Sequence, residues 1–457
     1  MFKLSAAARA VAAELCGDDA EVLRVSTDSR AVREGDLFVA LRGERFDGNR
    51  FVAQAFEAGA AAAMVSDPVL AAGTGPLIVV EDTRLALGRL AAWWRSRFDL
   101  PLIAITGSNG KTTVKEMLAA VLRRNAGEDA VLATAGNLNN DIGVPLTLLS
   151  LREQHRYAVV EMGMNHVGEI AWLSRLARPT VALINNAGTA HIGEVGSVEA
   201  VARAKGEIFE GLAADGVAVI NGDDAFADYW RSLLRGRRIA DFGLDRRATV
   251  TARYELENGG SLVTVRAPDE TFVVRLFQPG VHNVRNALAA VTAAWVIGVP
   301  SAHIAAGLAA YKGVKGRLQR VALRGGSTLL DDSYNANPES IKAALAVLGA
   351  APGKKIFVIG DMGELGEAVA EMHAEIGAFA RRAGVDRLLG LGVSSAAAVR
   401  AFGEQAAHFE TLEKLIEALE RELEPNCTVL VKGSRFMRME RVTAALQASA
   451  DHAEGGA

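Results

Sequence analysis

The segment Thr106-Gly107-Ser108-Asn109-Gly110-Lys111-Thr112-Thr113 gathers residue types that handle phosphate. Its glycines let backbone N–H groups approach phosphate oxygens, and a helix beginning there turns its positive end to the same anion. Lys111 can reach terminal phosphates, and the Thr112 hydroxyl can ligate Mg²⁺. The spacing departs from the common phosphate loop, because Ile105 rather than glycine stands six residues before Lys111.

The elements that must position the loop are legible on both sides of it. Leu102 to Ile105 reads as a buried strand after Pro101. Beyond the loop, Val114, Met117, Leu118, Val121 and Leu122 mark one apolar helix face. Tyr157–Val160, Val181–Ile184 and Val217–Ile220 read as further strands, spaced by helix-length segments. Such alternation implies an α/β fold with a parallel sheet covered by helices on both faces. Residues 249–276 alternate around Gly259-Gly260 and read as antiparallel strands, a β appendage on the central unit. After Arg317 a second α/β series begins, with strands at Thr328–Leu330, Ile356–Ile359, Arg387–Leu391 and Thr428–Val431. Their polar turns at Asp331, Gly360 and Lys432 are site candidates, since ligands of open parallel sheets sit beyond the strands' carboxyl ends.

Other residues are ambiguous taken singly. Glu161 suits a metal-facing strand end, and equally a solvated helix start. A lone His191 is ordinarily structural, and Lys205 in a helical pattern is ordinarily on the surface. The loop Thr134 to Asn140 suits sugar or phosphate contacts, or is a plain turn. Asn283 can cap the helix that runs through Ala287 to Val296, or face a base edge.

Length and composition bound the rest. A chain of 457 residues suggests about three domains, and 50% hydrophobic with 23% charged residues is a globular composition. A net charge of −4 excludes a coat for nucleic acid. No run of about eighteen apolar residues occurs, so no membrane span is expected. Arg9 and Glu14 interrupt the N-terminal apolar stretch, which argues against a signal peptide. Cys16 and Cys427 are expected to be partly buried thiols in a reducing, cytoplasmic setting. The tail from Asp451 to Ala457 is expected to fray.

Taken together, these motifs resemble the Mur ligase family, whose ATP loop has the form Thr-Gly-x-x-Gly-Lys-Thr. Further matches are Glu161-Met162-Gly163, Asn185-Asn186 with His191, Ala204-Lys205-Gly206, Gly280 to Leu288 and Gly316-Arg317. The resemblance implies a small N-terminal α/β substrate domain (1–83), a central parallel-sheet ATPase domain (84–312) and a C-terminal Rossmann-like domain (313–457). It implies ATP and two Mg²⁺ ions. Lys111 would neutralise phosphates, Thr112 and Glu161 hold one ion, and His191 and a carbamylated Lys205 hold the second. Gly107, Ser108, Asn109, Gly110 and Thr113 would complete the loop. Asn283 and Asn286 would face adenine, Arg317 the γ-phosphate, and Asp332 and Asn335 the ribose side.

Within the family, Ser26 to Arg30, Phe38 to Phe46, Gly136 to Pro145, Asp331 to Pro338, Gly360 to Gly366 and Val431 to Arg435 resemble the branch that joins D-alanyl-D-alanine to a UDP-N-acetylmuramoyl tripeptide. The Asp-Asn-Pro-Arg motif of the preceding enzyme is missing; Asp361-Met-Gly-Glu-Leu-Gly stands there instead. Ser26, Asp28, Ser29, Arg30 and Asn49 are then placed on the UDP side. Thr134, Asn137, Asn139 and Asn140 face the muramyl-peptide part, and Lys432, Ser434 and Arg435 face the dipeptide carboxylate. A monomer is expected. The competing readings are another ligase of the superfamily, such as a folylpolyglutamate synthase, and a nucleotide-gated protein without catalysis.

Overall fold

The computed structural model describes residues 1–44, 46–71, 73, 75–190, 192–257 and 259–451. His191 and the tail beyond Asp451 lie outside the described residues. Among the described residues three larger sheets carry the architecture. The first has, in spatial order, Glu14–Cys16, Leu77–Val79, Ala62–Val65, Asp36–Val39 and Arg24–Ser26.

The central sheet runs Val131–Ala133, Tyr157–Glu161, Leu102–Thr106, Val181–Ile184, Val217–Asn221, Arg238–Gly243, Val250–Glu257, Gly260–Arg266 and Thr271–Leu276. The pairings are parallel up to Val250–Glu257, and the last two strands add antiparallel. The expected appendage is therefore an extension of the same sheet. Its three strands turn Val250, then Val263 and Val265, then Val274 and Leu276 into the core shared with helix Val281–Val296. Strands Val131–Ala133 and Arg238–Gly243 escape a reading by pattern: the first is three residues long, and the second carries charge.

Chain order switches around Leu102–Thr106. The chain leaves this strand for one side of the sheet and returns to its other side at Val181–Ile184. Register places Glu161 beside Ile105 and Ile184 beside Thr106, so the carboxyl ends line up at that switch point. Helix Lys111–Ala126 follows, and buries Val114, Met117, Leu118, Val121 and Leu122 as their spacing requires.

The third sheet runs Gln319–Ala322, Thr328–Asp332, Thr428–Lys432, Lys355–Gly360, Arg387–Leu391 and Ala406–Phe409. Here too the polar turns align: Asp332 pairs with Lys432, which pairs with Ile359 on its other side. Cys427 is buried, whereas Cys16 is exposed on an edge strand, contrary to the expectation of partial burial. Among the described residues no helix is long and apolar enough to cross a membrane.

Candidate active site

The carboxyl ends of the central and third sheets enclose a cleft of about 1140 Å³ lined by Ser108 to Thr113, Glu161, Asn283, Asn286, Arg317, Asp332 and Lys432 among others. Gly110 caps the loop helix with φ +79°, a conformation that favours glycine. A Cβ there would also meet Asn286 Oδ1 at 2.3 Å. Asparagines brace the loop. Asn185 Nδ2 donates to Asn109 O and to Asn286 Oδ1, each at 2.9 Å. Asn186 Oδ1 accepts the Asn109 N–H at 2.8 Å, and the Ser108 hydroxyl accepts the Gly188 N–H at 2.9 Å. Asn221 holds the Asn185 carbonyl at 3.0 Å. The Lys111 ammonium donates to Gly107 O at 2.6 Å. Burial lowers the Lys111 pKa, and the nearby Glu161 carboxylate opposes that shift.

Glu161 is 2% exposed, so the solvated helix-start reading fails. Its N–H is held by Thr134 Oγ1 at 2.9 Å, and its Oε1 accepts from Asn139 Nδ2 at 2.7 Å. Oε2 is buried and accepts no hydrogen bond. An orphaned carboxylate oxygen beside the phosphate loop fits a divalent cation, with the Thr112 hydroxyl as a further oxygen donor. Among the described residues no cluster of three or more His, Cys, Asp or Glu side chains forms a metal cage. A cation here would thus draw ligands from phosphate and water as well as protein. Lys205 is buried, not on the surface, and its pKa lies well below the usual lysine value, through burial first and the Lys111 charge second.

The loop of Thr134 to Asn140 divides by role. Thr134 is turned inward: its carbonyl accepts from the buried Lys115 ammonium at 2.6 Å and its hydroxyl serves Glu161. It therefore positions Glu161 and does not line the cleft. Asn137, Asn139 and Asn140 do line it, although Asn140 Oδ1 is also held by the Gly143 N–H at 2.8 Å.

The third unit reaches across the cleft. Arg317 Nη2 donates to Thr112 Oγ1 at 3.4 Å, and Asn337 Nδ2 to Asn109 Oδ1 at 2.7 Å. The Glu339 carboxylate accepts both the N–H and the hydroxyl of Thr189, at 2.9 and 2.6 Å. Asn283, buried at the helix start, donates to Pro279 O at 2.8 Å; Gly280 is the cap. Beside it, burial and then Lys432 and Arg285 lower the His282 pKa to about 4.

Lys432 is committed within its own unit: its ammonium is 2.5 Å from Asp332 Oδ2 and 2.9 Å from Asn335 O. Asp332 Oδ1 also accepts the Leu318 N–H at 2.9 Å. This pair ties adjacent strand ends to the linker. Ser434 is a correction too: it is buried, and its hydroxyl donates to Ala336 O at 3.2 Å and accepts the Gly363 N–H at 2.8 Å. Of the three dipeptide candidates, Arg435 is the one that faces the cleft with an exposed side chain. The Asn335 side chain, exposed in the cleft, accepts from the Ala336 N–H at 2.9 Å.

The N-terminal candidates do not line this cleft. Asp28 caps the short turn Ser29–Ala31 and pairs with the exposed Arg30, while the Ser26 hydroxyl donates to Asp28 O at 3.2 Å. Asn49 is a correction. Its amide donates to Asp47 and Ser66 and accepts from the N–H groups of Ser66 and Asp67, so its hydrogen-bonding capacity is used up inside the unit.

The profile of the Mur ligase middle domain matches residues 105–294, that of the Mur ligase glutamate ligase domain 316–435, and that of the Mur ligase family catalytic domain 21–95. The UDP-N-acetylmuramoyl-tripeptide–D-alanyl-D-alanine ligase of Escherichia coli K12 is 44% identical over 95% of this chain and 96% of that protein. The chain belongs to the Mur ligase family. MurF from Acinetobacter baumannii superposes on this Mur ligase with a TM-score of 0.91 at 38% identity, over 97% of this chain and 98% of the other. MurF ligase from Thermotoga maritima, crystallised with ADP, gives 0.83 at 29% identity over 94% and 98%.

Within this Mur ligase, single-residue reasoning missed Asn221, Asn337, Glu339 and the buried Lys115. Asn185 and Asn186 entered only as family matches. Their signal is weak because asparagine after a strand is also ordinary turn chemistry.

Proposed function

We propose that this Mur ligase joins the terminal carboxylate of a UDP-N-acetylmuramoyl tripeptide to the amine of D-alanyl-D-alanine, with ATP converted to ADP and phosphate. The carrying observation is the cleft itself: a phosphate loop faces Arg317 and the strand-end turns at Asp332 and Gly363 across one cavity. A carboxylate is a poor electrophile. Its oxygen attacks the γ-phosphorus of ATP, giving an acyl phosphate and ADP. The amine then attacks the acyl carbon, and the tetrahedral centre expels phosphate.

This chain's residues supply position and charge. Lys111 and Arg317 approach the transferring phosphoryl group from opposite units. Thr112 and Glu161 would hold one Mg²⁺, with His191 and a carbamylated Lys205 at a second; such ions neutralise phosphate charge. Asn283 and Asn286 are taken as the adenine side, and Asp332 and Asn335 as the ribose side. Contacts of Asn337 and Glu339 with the central unit exclude water from the acyl phosphate. The precursor would lie along Asn137, Asn139 and Asn140, with its UDP end toward Ser26 to Arg30. The dipeptide carboxylate would meet Arg435, with Ser434 holding the turn at Gly363 beside it. We take the domain boundaries at 83/84 and 312/313, and the protein as a cytoplasmic monomer.

Coupled phosphate release tests the reaction when ATP, the UDP-muramyl tripeptide and D-alanyl-D-alanine are omitted in turn. Release that requires all three supports the reading. Release supported by a free amino acid in place of the dipeptide overturns it.

A further inference from the structure

The Tyr334 ring lies near two cations to which the proposed reaction gives different tasks, one at the γ-phosphate and one at the dipeptide carboxylate. The guanidinium carbon of Arg317 is 4.2 Å from its ring centroid, and that of Arg435 is 5.6 Å away. Arg317 also reaches Thr112 in the phosphate loop. Arg435 follows strand Thr428–Lys432 and pairs with Glu440 at 2.9 Å. All three side chains line the same cavity.

Like charges repel, whereas the electron-rich face of an aromatic ring attracts a guanidinium, and one ring here is within cation–π reach of both. The ring is mounted on fixed backbone. The Tyr334 N–H donates to Gly316 O at 3.1 Å, directly before Arg317 in the chain. The preceding Ser333 is tied through N–H and hydroxyl to Asp331 Oδ1, at 3.1 and 2.5 Å. The ring thus contacts both arginines, and its backbone is bonded to the residue directly before one of them.

We propose that Tyr334 is a positioning residue that couples the γ-phosphate end of the cleft to the end that receives the dipeptide. This rests on the reaction proposed above. Arg317, drawn to the γ-phosphate, sets the ring, and the ring sets Arg435 for the incoming carboxylate. The coupling is reciprocal: nucleotide tightens dipeptide binding by the same factor as dipeptide tightens nucleotide.

The test is calorimetric titration of D-alanyl-D-alanine into the full-length protein with Mg²⁺ and UDP-muramyl tripeptide, with and without a non-hydrolysable ATP analogue. In the unaltered protein the analogue tightens dipeptide binding. Tyr334→Leu loses that tightening, by about two- to thirtyfold, as the strength of cation–ring attraction implies. Tyr334→Phe, which keeps the ring, retains it. Tyr334→Met, flexible and without a ring, is the second variant should the leucine chain not fold. Retained tightening in the leucine or methionine variant overturns the role of the ring, and so does a phenylalanine variant that loses as much as leucine. Failure of the unaltered protein to bind the dipeptide overturns the reaction itself and this role with it.

Discussion

Asn139 and Glu161 are joined side chain to side chain: Asn139 Nδ2 donates to Glu161 Oε1 at 2.7 Å, which aligns the carboxylate and leaves Oε2 buried without a donor. A buried acceptor with no partner carries a desolvation cost of about 1–3 kcal/mol, and more when charged. A cation at Oε2 removes that cost.

Glu161→Gln should therefore abolish most Mg²⁺-dependent phosphate release. Asn139→Ala should raise the Mg²⁺ concentration for half-activation by about ten- to a hundredfold, the usual cost of losing a residue that orients a metal ligand. Mg²⁺ titrations of activity and of ATP binding check both. An unshifted Asn139→Ala curve would reject the orienting role.

Lys205 bears on carbamylation. The CO₂ molecule is attacked by a neutral amine, which then loses a proton to give the carbamate. Burial, and next the Lys111 charge, depress the Lys205 pKa, so its neutral form is present at pH values where an ordinary lysine is an ammonium ion. As pH falls through the depressed value, protonation should release CO₂ and activity should drop. Labelled bicarbonate should give a protein-bound carbamate carbon signal that Lys205→Ala lacks. Full activity in that variant refutes the role.

Closure of the third unit rests in part on one carboxylate. Glu339→Ala removes the acceptor of two Thr189 hydrogen bonds. Bonds to a charged group contribute about 1.5–3 kcal/mol, so turnover should fall about ten- to a hundredfold. Small-angle scattering should show compaction with ATP analogue and precursor in the unaltered protein, and less in the variant.

His282 should stay neutral through the physiological range. Its folded pKa is about 4 and its ordinary value 6.5, with burial the main cause, then Lys432 and Arg285. The unfolded state takes up this proton first. Stability should therefore decline as pH falls from about 6.5 to about 4 and this contribution should level off below, by on the order of 3 kcal/mol in all. Denaturant titrations across that window should show a smaller loss for His282→Gln.

The loop Thr106 to Thr113 and its strand and helix were legible from residue order, because glycine placement, a lysine–threonine pair and apolar periodicity are local properties. The same holds for the strand ends at Asp331, Gly360 and Lys432. Asn49 and Thr134 went the other way. Both looked like ligand-facing polar residues, yet neighbours distant in sequence use their hydrogen bonds.

By itself, the sequence determined the elements, their α/β order and the residue types that can meet phosphate, since these depend on spacing along the chain. Only the tertiary structure decided which oxygen of Glu161 is free, that Lys205 is buried beside the Lys111 charge, and that Lys432 is held by Asp332. Those facts depend on burial and on partners dozens to a hundred residues away, and no local pattern encodes them.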